Sequence, residues 1–200
     1  REIYTPALPV ALPVLVQVSL TDITARKKAE SYLEYLGKHD ILTKLYNRSF
    51  YTEEIHRLER SIIRPVSCIY LDMNGLKKIN DSLGHDTGDG MLRRVGDILN
   101  QVVHLPNTVS RIGGDEFVVM MPGANEQAVQ TTIESIHDLF HIDNQYYSSL
   151  PISIAIGPST SLVHETIEDL INRADQAMYL DKKRYYEEKA LQTDIKKRDP

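Results

Sequence analysis

Ser110-Arg111-Ile112-Gly113-Gly114-Asp115-Glu116-Phe117-Val118 is the stretch of sequence that decides the fold. Apolar runs over 108–112 and 117–121 flank its glycine pair, and this spacing predicts a tight β-hairpin whose turn residues adopt positive φ. Two acids, Asp115 and Glu116, follow the turn directly, although carboxylates are poor strand formers. The acidic pair indicates either a solvated turn or a site for a hard cation and its phosphate ligands.

A second acidic position follows the apolar run 66–71, which has the length and composition of a buried central strand. Asp72 and Asn74 come where this strand ends, and ligands of open α/β sheets lie at strand ends. If this strand neighbours the hairpin, Asp72 converges with Asp115 and Glu116. The three carboxylates would then offer oxygen ligands to one or two Mg²⁺ ions, a centre suited to phosphoryl or nucleotidyl transfer.

Helical periodicity surrounds these elements. Apolar residues recur at helical spacing within 51–62, 91–102, 125–140 and 167–178, and isoleucines alternate over 152–156. The order strand, helix, helix, hairpin, helix, strand, helix predicts an α/β (α+β) domain. Its mixed central sheet includes the hairpin and is flanked by helices.

The N-terminal part carries a different pattern. Alternating apolar residues over 14–20 predict a strand, and residues 22–38 predict a helix with a short heptad-like seam of Ala25, Ala29, Tyr32 and Leu36. This helix either packs on its own domain or is a dimerising signal helix. So short a seam is marginal alone, which favours the second interpretation.

Composition limits the classes of function. The chain has 200 residues, of which 42% are hydrophobic and 26% charged, as in an ordinary globular protein. A net charge of −5 argues against nucleic acid or anionic lipid as a partner, and no apolar stretch is long enough to cross a bilayer. The single cysteine, Cys68, agrees with a reducing, cytoplasmic location. Because the chain begins with Arg1, we expect it to be part of a longer protein. If that protein is anchored in a membrane, we expect this chain to belong to its cytoplasmic portion.

Four motifs in this order resemble the GGDEF domain family, the diguanylate cyclases, over roughly 37–186. They are Asp40-x-Leu42-Thr43-x-Leu45-x-Asn47-Arg48, Asp72-x-Asn74-x-Leu76-Lys77-x-Ile79-Asn80-Asp81-x-x-Gly84-His85-x-x-Gly88-Asp89, Arg111-x-Gly113-Gly114-Asp115-Glu116-Phe117 and Ala174-Asp175-x-Ala177-Met178-Tyr179. The resemblance implies a fold like that of polymerase palm and adenylyl cyclase domains. It also implies condensation of two GTP molecules into cyclic di-GMP, with release of pyrophosphate, between two facing protomers.

The resemblance also implies a Mg²⁺ (or Mn²⁺) site and the catalytic groups. Asp72, Asp115, Glu116 and the Met73 carbonyl would bind the metal. Asp115 and Glu116 would serve catalysis, with Glu116 helping to deprotonate the attacking 3′-hydroxyl. Lys77 would stabilise the charge that develops during transfer.

GTP would be bound by a further set of residues. Asn80 and Asp89 would hydrogen-bond the guanine edge, whose N1–H and N2–H₂ donors are absent from adenine in that arrangement. Lys182 would contact the terminal phosphates, although a lysine near a helix C-terminus is also a common surface arrangement. The substrate-binding residues implied are Leu76, Asn80, Asp89, Gly113, Gly114 and Lys182.

Two positions depart from the family pattern. Many members carry Arg-x-x-Asp before the hairpin as an inhibitory site for the product, and here these positions hold His104 and Asn107. We therefore predict no product inhibition through that site. The arginine expected near the end of the last helix is replaced by Tyr186, so either Lys183 or Arg184 substitutes for it or triphosphate affinity is weaker.

The predicted organisation is the end of an upstream sensor over 1–21, a linker helix over 22–38, a GGDEF catalytic domain over 39–188 and a polar, fraying tail over 189–200. The sensor assignment depends on 14–30, which is similar to the last strand of a PAS domain running into its output helix. Two alternatives remain: a catalytically weak GGDEF-like module that binds GTP or cyclic di-GMP, and a dimerisation scaffold. The complete set of predicted site residues disfavours both.

Overall fold

The structure, a computed structural model, describes residues 11–196, with side chains described over 25–191. The chain divides into two units, Arg1–Gly37 and Lys38–Pro200. No helix among the described residues is both long and apolar enough to cross a membrane. The elements in chain order are α1 (Ala11–Lys38), α2 (Arg48–Glu59), β1 (Val66–Met73), α3 (Leu76–Leu83), α4 (His85–Val102), β2 (Thr108–Arg111), β3 (Glu116–Pro122), α5 (Glu126–Tyr146), β4 (Ile154–Thr160) and α6 (Ile167–Lys196).

The first unit differs from the sequence prediction. A strand over 14–20 is wrong, because helix α1 runs from Ala11 to Lys38. A lone strand leaves its backbone N–H and C=O groups unpaired, whereas a helix pairs them internally. On α1, Ala25, Ala29 and Tyr32 are exposed and Leu36 is half-buried, so the seam is open and its dimerising role stays a prediction. Residues 1–10 and 197–200, in the predicted sensor end and tail, lie outside the described residues.

A four-stranded sheet in the order β2-β3-β1-β4 forms the centre of the second unit. All three ladders between these strands are antiparallel. The outer edge of β2 is covered by Tyr46, whose N–H donates to the Val109 carbonyl and whose carbonyl accepts from the Arg111 N–H. A single parallel bridge joins Tyr46 to Ser110. The sheet, its hairpin and the flanking helices confirm the predicted α/β class, and the predicted order of elements is observed from β1 to α6. The ladders between the four strands are antiparallel, where the sequence predicted a mixed sheet.

Apolar cores lie on both faces of the sheet, which explains why all eight residues of β1 are buried. Alternate side chains of β1 and β3 point to opposite faces. One face packs against α4 and α5, through residues such as Leu71 and Phe117. The other face packs against α2 and α6, through residues such as Tyr70 and Val118. The continuous apolar run 66–71 is therefore the pattern of a strand covered on both sides.

Two element boundaries differ from those predicted. Helix α4 begins at His85, within the stretch expected to be a loop, and Gly88 lies inside it, packed against Asn80. Strand β4 begins at Ile154, because the backbone N–H and C=O of Ile152 are both bound by the side chain of Asn144, at 2.7 and 2.8 Å. Ile152 is thereby removed from the ladder.

Helix α6 continues to Lys196, past residue 189 where the polar tail was predicted to begin, and the fraying of that tail stays a prediction. Side-chain pairs one turn apart support the helix as far as Lys189. The Lys189 ammonium donates to the Tyr185 hydroxyl at 3.1 Å, and Lys183 lies 3.8 Å from Glu187.

Helix α6 packs directly on the backbone of β4 at Gly157. A Cβ added there would lie 2.1 Å from the Ala174 carbonyl oxygen and 2.1 Å from the Met178 nitrogen. Both neighbours are backbone atoms of α6, so they cannot move aside without shifting the helix. Gly157 thus sets the distance between α6 and the sheet.

Gly157→Ala is therefore expected to lower the free energy of unfolding by about 1–3 kcal/mol through overpacking. Urea denaturation followed by circular dichroism measures this loss. Gly90→Ala is the matched control, because nothing lies within 4 Å of an added Cβ there and Gly90 is helical. The control should be neutral or stabilising by up to about 1 kcal/mol. Equal stability of the two variants would show that α6 does not depend on this close approach.

Candidate active site

The end of β1 and the start of β3 bring the three predicted carboxylates to one edge of the sheet. Asp72 is paired with Glu116 in the antiparallel register. The Met73 N–H donates to the Asp115 carbonyl at 2.9 Å, which fixes the loop residue beside the strand end. The strand and the hairpin are therefore neighbours, as the sequence analysis required for convergence.

Asp72 and Glu116 lie on the sheet face covered by α6, because they continue the rows of Tyr70 and Val118. The Lys182 ammonium of α6 donates to Asp72 Oδ1 at 2.6 Å. The Tyr70 hydroxyl donates to Glu116 Oε1 at 3.3 Å. Sequence reasoning assigned Lys182 to phosphate only and missed Tyr70, whose strand position gave no separate signal.

The charges of this cluster are unbalanced. Asp72 is 5% exposed, and burial together with the nearby Asp115 and Glu116 raises its pKa even though Lys182 acts in the opposite direction. Burial lowers the pKa of Lys182, but the hydrogen bond and charge of Asp72 outweigh burial and raise it, so the ammonium stays protonated. One lysine therefore faces three carboxylates.

The glycine pair has a different role from the one predicted. The prediction of positive φ at the turn is wrong, because the glycines with positive φ are Gly75, Gly84 and Gly123, and neither Gly113 nor Gly114 is among them. Gly113 instead provides space: an added Cβ would lie 2.3 Å from Glu116 Oε2. Gly114 is exposed, and nothing lies within 4 Å of a Cβ added to it. The connection spans residues 112–115, longer than a two-residue turn, so it closes without left-handed glycines.

The donor set fits a hard divalent cation that is shared with a substrate. Among the described residues, no three His, Cys, Asp or Glu side chains are grouped closely enough to hold a metal ion by themselves. Mg²⁺ in nucleotide enzymes is usually bound by one or two carboxylates plus substrate phosphates, not by an all-protein cage. Oxygen donors with excess negative charge at Asp72, Asp115 and Glu116 agree with that mode of binding.

Helices α3 and α4 follow directly from this strand end. Gly75 in the left-handed conformation turns the chain from β1 into α3, whose N-terminus has no side-chain cap. Leu76 is buried, and Lys77 is exposed. Asn80 Oδ1 is buried without a hydrogen-bond partner, against Gly88, where an added Cβ would lie 1.9 Å from it. Asp89 is the next residue of α4 and is half-buried.

Residues 37–187 match the family described as "Diguanylate cyclase, GGDEF domain". The chain belongs to this family. The diguanylate cyclase DosC of Shigella sonnei is 35% identical over 152 residues, which cover 72% of this chain and 33% of DosC. The chain thus spans about a third of the length of that curated relative.

Solved structures show the same fold. The coiled coil and GGDEF domain of DgcB from Caulobacter crescentus align with a TM-score of 0.71 and 24% identity, covering 86% of this chain and 95% of that one. The isolated GGDEF domain of DgcB, in complex with c-di-GMP, aligns with a TM-score of 0.63 and 27% identity, covering 74% and 88%. The predicted family and fold are confirmed, whereas the roles of individual residues stay predictions.

In this GGDEF domain, Arg111 connects the N-terminal turn to the loop that carries Asp115. Arg111 Nη1 lies 3.1 Å from Asp40 Oδ1, and Arg111 Nη2 donates to the Gly114 carbonyl at 2.7 Å. Burial raises the pKa of Asp40. Hydrogen bonds from the Thr43 N–H and hydroxyl, with the charge of Arg111, outweigh burial and hold the pKa below its ordinary value of 3.8.

Asp40→Asn is expected to lower the free energy of unfolding at pH 7 by about 1–3 kcal/mol, since it leaves the Arg111 guanidinium without its charged partner. A carboxylate with a depressed folded-state pKa stabilises above its unfolded pKa and loses that contribution as pH falls through the folded pKa. The difference in the free energy of unfolding between Asp40→Asn and wild type should therefore narrow in urea titrations as the pH falls below about 4. Asp97→Asn, an exposed change on α4, is the control. A difference in the free energy of unfolding that does not change with pH would contradict the ionic role of Asp40.

Proposed function

We propose that the chain is a diguanylate cyclase that condenses two GTP molecules into cyclic di-GMP at a homodimer interface, with release of pyrophosphate. The observation that carries this proposal is the pairing of Asp72 with Glu116 beside Asp115, under the ammonium of Lys182. Nucleotidyl transfer is catalysed largely by positioning and charge neutralisation, which such a cluster can provide. The named relatives and the DgcB structure with c-di-GMP support the same chemistry.

The metal-binding groups would be Asp72, Asp115, Glu116 and the Met73 carbonyl. A bound Mg²⁺ or Mn²⁺ supplies charge neutralisation at the phosphates. Glu116 would accept the proton of the attacking 3′-hydroxyl. The Tyr70 hydroxyl orients the Glu116 carboxylate by donating to its Oε1. Gly113 leaves the space that the Glu116 carboxylate occupies.

The nucleotide would lie between the strand end and α3–α4. The uncapped N-terminus of α3 favours an anion, because its first N–H groups point outward without helical partners. Lys77 would stabilise the charge developing at the transferred phosphorus, and Lys182 would contact the terminal phosphates. The unpaired, buried Asn80 Oδ1 and the Asp89 carboxylate are acceptors that suit the N1–H and N2–H₂ donors of guanine.

A homodimer is required by the product. Each protomer offers one set of site residues, and the twofold cyclic product needs two 3′-hydroxyls to attack two α-phosphorus atoms. We propose that α1 contributes to dimerisation and that the site is cytoplasmic. The upstream sensor loses its support in this chain, because residues 14–20 are helical and do not form the last strand of a PAS domain. Nucleic acid and membrane are not proposed as partners, given the net charge of −5.

Wild-type protein with GTP and Mg²⁺ is expected to form cyclic di-GMP, and Asp115→Asn to lower its rate at least about 100-fold by weakening charge neutralisation. Chromatography of the products measures both rates, with light scattering to establish that each protein is dimeric. Asp138→Asn, an exposed change on α5, should match wild type. A dimeric wild-type protein that forms no product would exclude the cyclase and favour a nucleotide-binding module.

The product is expected to leave this rate unchanged at up to about 10 μM. His104 and Asn107 line a cleft of about 460 Å³ beside the start of β2, without the guanidinium that grips phosphate or guanine. The variant His104→Arg with Asn107→Asp restores the family pattern and should become sensitive to added cyclic di-GMP. Inhibition of wild type that persists in His104→Ala would instead indicate a different inhibitory site.

A further inference from the structure

The ion pair between Lys182 and Asp72 occupies an oxygen atom that the proposed metal site needs. Lys182 Nζ lies 2.6 Å from Asp72 Oδ1, and the two residues are 110 positions apart in the chain. The Asp72 side chain is 7% exposed, whereas that of Lys182 is 28% exposed. The ammonium therefore covers the carboxylate from the side that is open to solvent.

The position of Lys182 is fixed by its neighbours in the fold. The adjacent residue Asp181 accepts a hydrogen bond from the Ile156 N–H of β4 at 3.0 Å. One turn earlier, α6 lies directly on Gly157, with no side chain between helix and strand. The backbone at Lys182 is thus held over the strand end, and its flexible side chain is the part that can move.

A divalent cation and the ammonium compete for the same carboxylate. A cation that binds without nucleotide either displaces Lys182 from Asp72 or lies close to a like charge. A triphosphate removes this conflict, because its anionic oxygens can accept the ammonium while Asp72 becomes free for the metal. Binding of the metal and binding of the triphosphate then favour each other, because thermodynamic linkage is reciprocal.

We propose that Lys182 acts as an exchangeable counter-ion, which holds Asp72 until a nucleoside triphosphate draws it away and so makes metal and nucleotide bind together. This role rests on the proposed cyclase function, because it takes the triphosphate of that substrate as the second partner. Lys182 is then a positioning residue for the metal as well as a phosphate contact. Free metal binds weakly, and the metal–nucleotide pair binds tightly.

Binding of Mn²⁺, followed by electron paramagnetic resonance of the free ion, tests this coupling. Wild type and Lys182→Met are compared without nucleotide and with saturating 3′-deoxy-GTP, which keeps the triphosphate and lacks the nucleophile. Without nucleotide, Lys182→Met should bind Mn²⁺ about 5- to 150-fold more tightly than wild type. The tightening of the Mn²⁺ Kd by nucleotide should be smaller in the variant by a similar factor.

Two controls separate exchange from general electrostatics. Lys189→Met removes the same charge from α6 about two turns further on, where the exposed ammonium donates to the Tyr185 hydroxyl, so it should behave as wild type. Lys182→Arg keeps a cation beside Asp72 and should retain the coupling. Lys182→Gln replaces Lys182→Met if urea denaturation shows that the latter is unfolded.

Unchanged or weaker Mn²⁺ binding by folded Lys182→Met without nucleotide would overturn the proposal. A Lys189→Met variant that binds Mn²⁺ as tightly as Lys182→Met would overturn it as well. The result is independent of turnover. If wild type forms cyclic di-GMP and Lys182→Met leaves Mn²⁺ affinity unchanged, the counter-ion proposal is wrong and the cyclase assignment stands. If wild type forms no product but the coupling is observed, the cyclase assignment fails and the exchange stands.

Discussion

The antiparallel register between β1 and β3 is the constraint on which the rest of the structure depends. It pairs Asp72 with Glu116, and a slip of one residue would turn one of these carboxylates to the opposite face of the sheet. The register is fixed by burial on both faces, since β1 alternates between two apolar cores. The geometry of the acidic cluster is therefore set by hydrophobic side chains that are not part of it.

The buried Asp72 carboxylate at this strand end needs a positive partner, because an unpaired buried carboxylate is strongly unfavourable. Lys182 of α6 provides part of the compensating charge. That lysine reaches Asp72 because Gly157 lets α6 lie directly on β4 and because Asp181 binds the Ile156 N–H. Burial, together with the neighbouring Asp115 and Glu116, keeps the pKa of Asp72 raised although Lys182 opposes the shift. One ammonium beside three carboxylates leaves the cluster with unbalanced acidic groups.

The local hydrophobic pattern predicted the helices and strands around the site. It could not predict the features that depend on contacts between residues far apart in the chain. The run 66–71 and the helical spacing of 91–102 follow from burial periodicity, which a single sequence carries. The strand over 14–20 failed because alternation describes a half-buried strand only where a partner exists. The contact between Lys182 and Asp72 depends on packing between distant segments. The space that Gly113 leaves for Glu116 depends on the conformation of the connection between β2 and β3. Residue types at Asp72, Asp115 and Glu116 indicated a convergence only on the condition that the strand and the hairpin are neighbours, and they did not indicate the lysine that covers the three acids.

The three acids are held by different kinds of constraint. Asp72 and Glu116 belong to the β1–β3 ladder, whose backbone pairing and two cores resist displacement. Asp115 lies in the connection between strands, held by the Met73 N–H on one side and, through the Gly114 carbonyl, by Arg111 on the other. Arg111 is itself paired with Asp40 in the turn before α2. The position of Asp115 therefore depends on a contact outside the sheet, whereas the positions of Asp72 and Glu116 depend on the β1–β3 ladder.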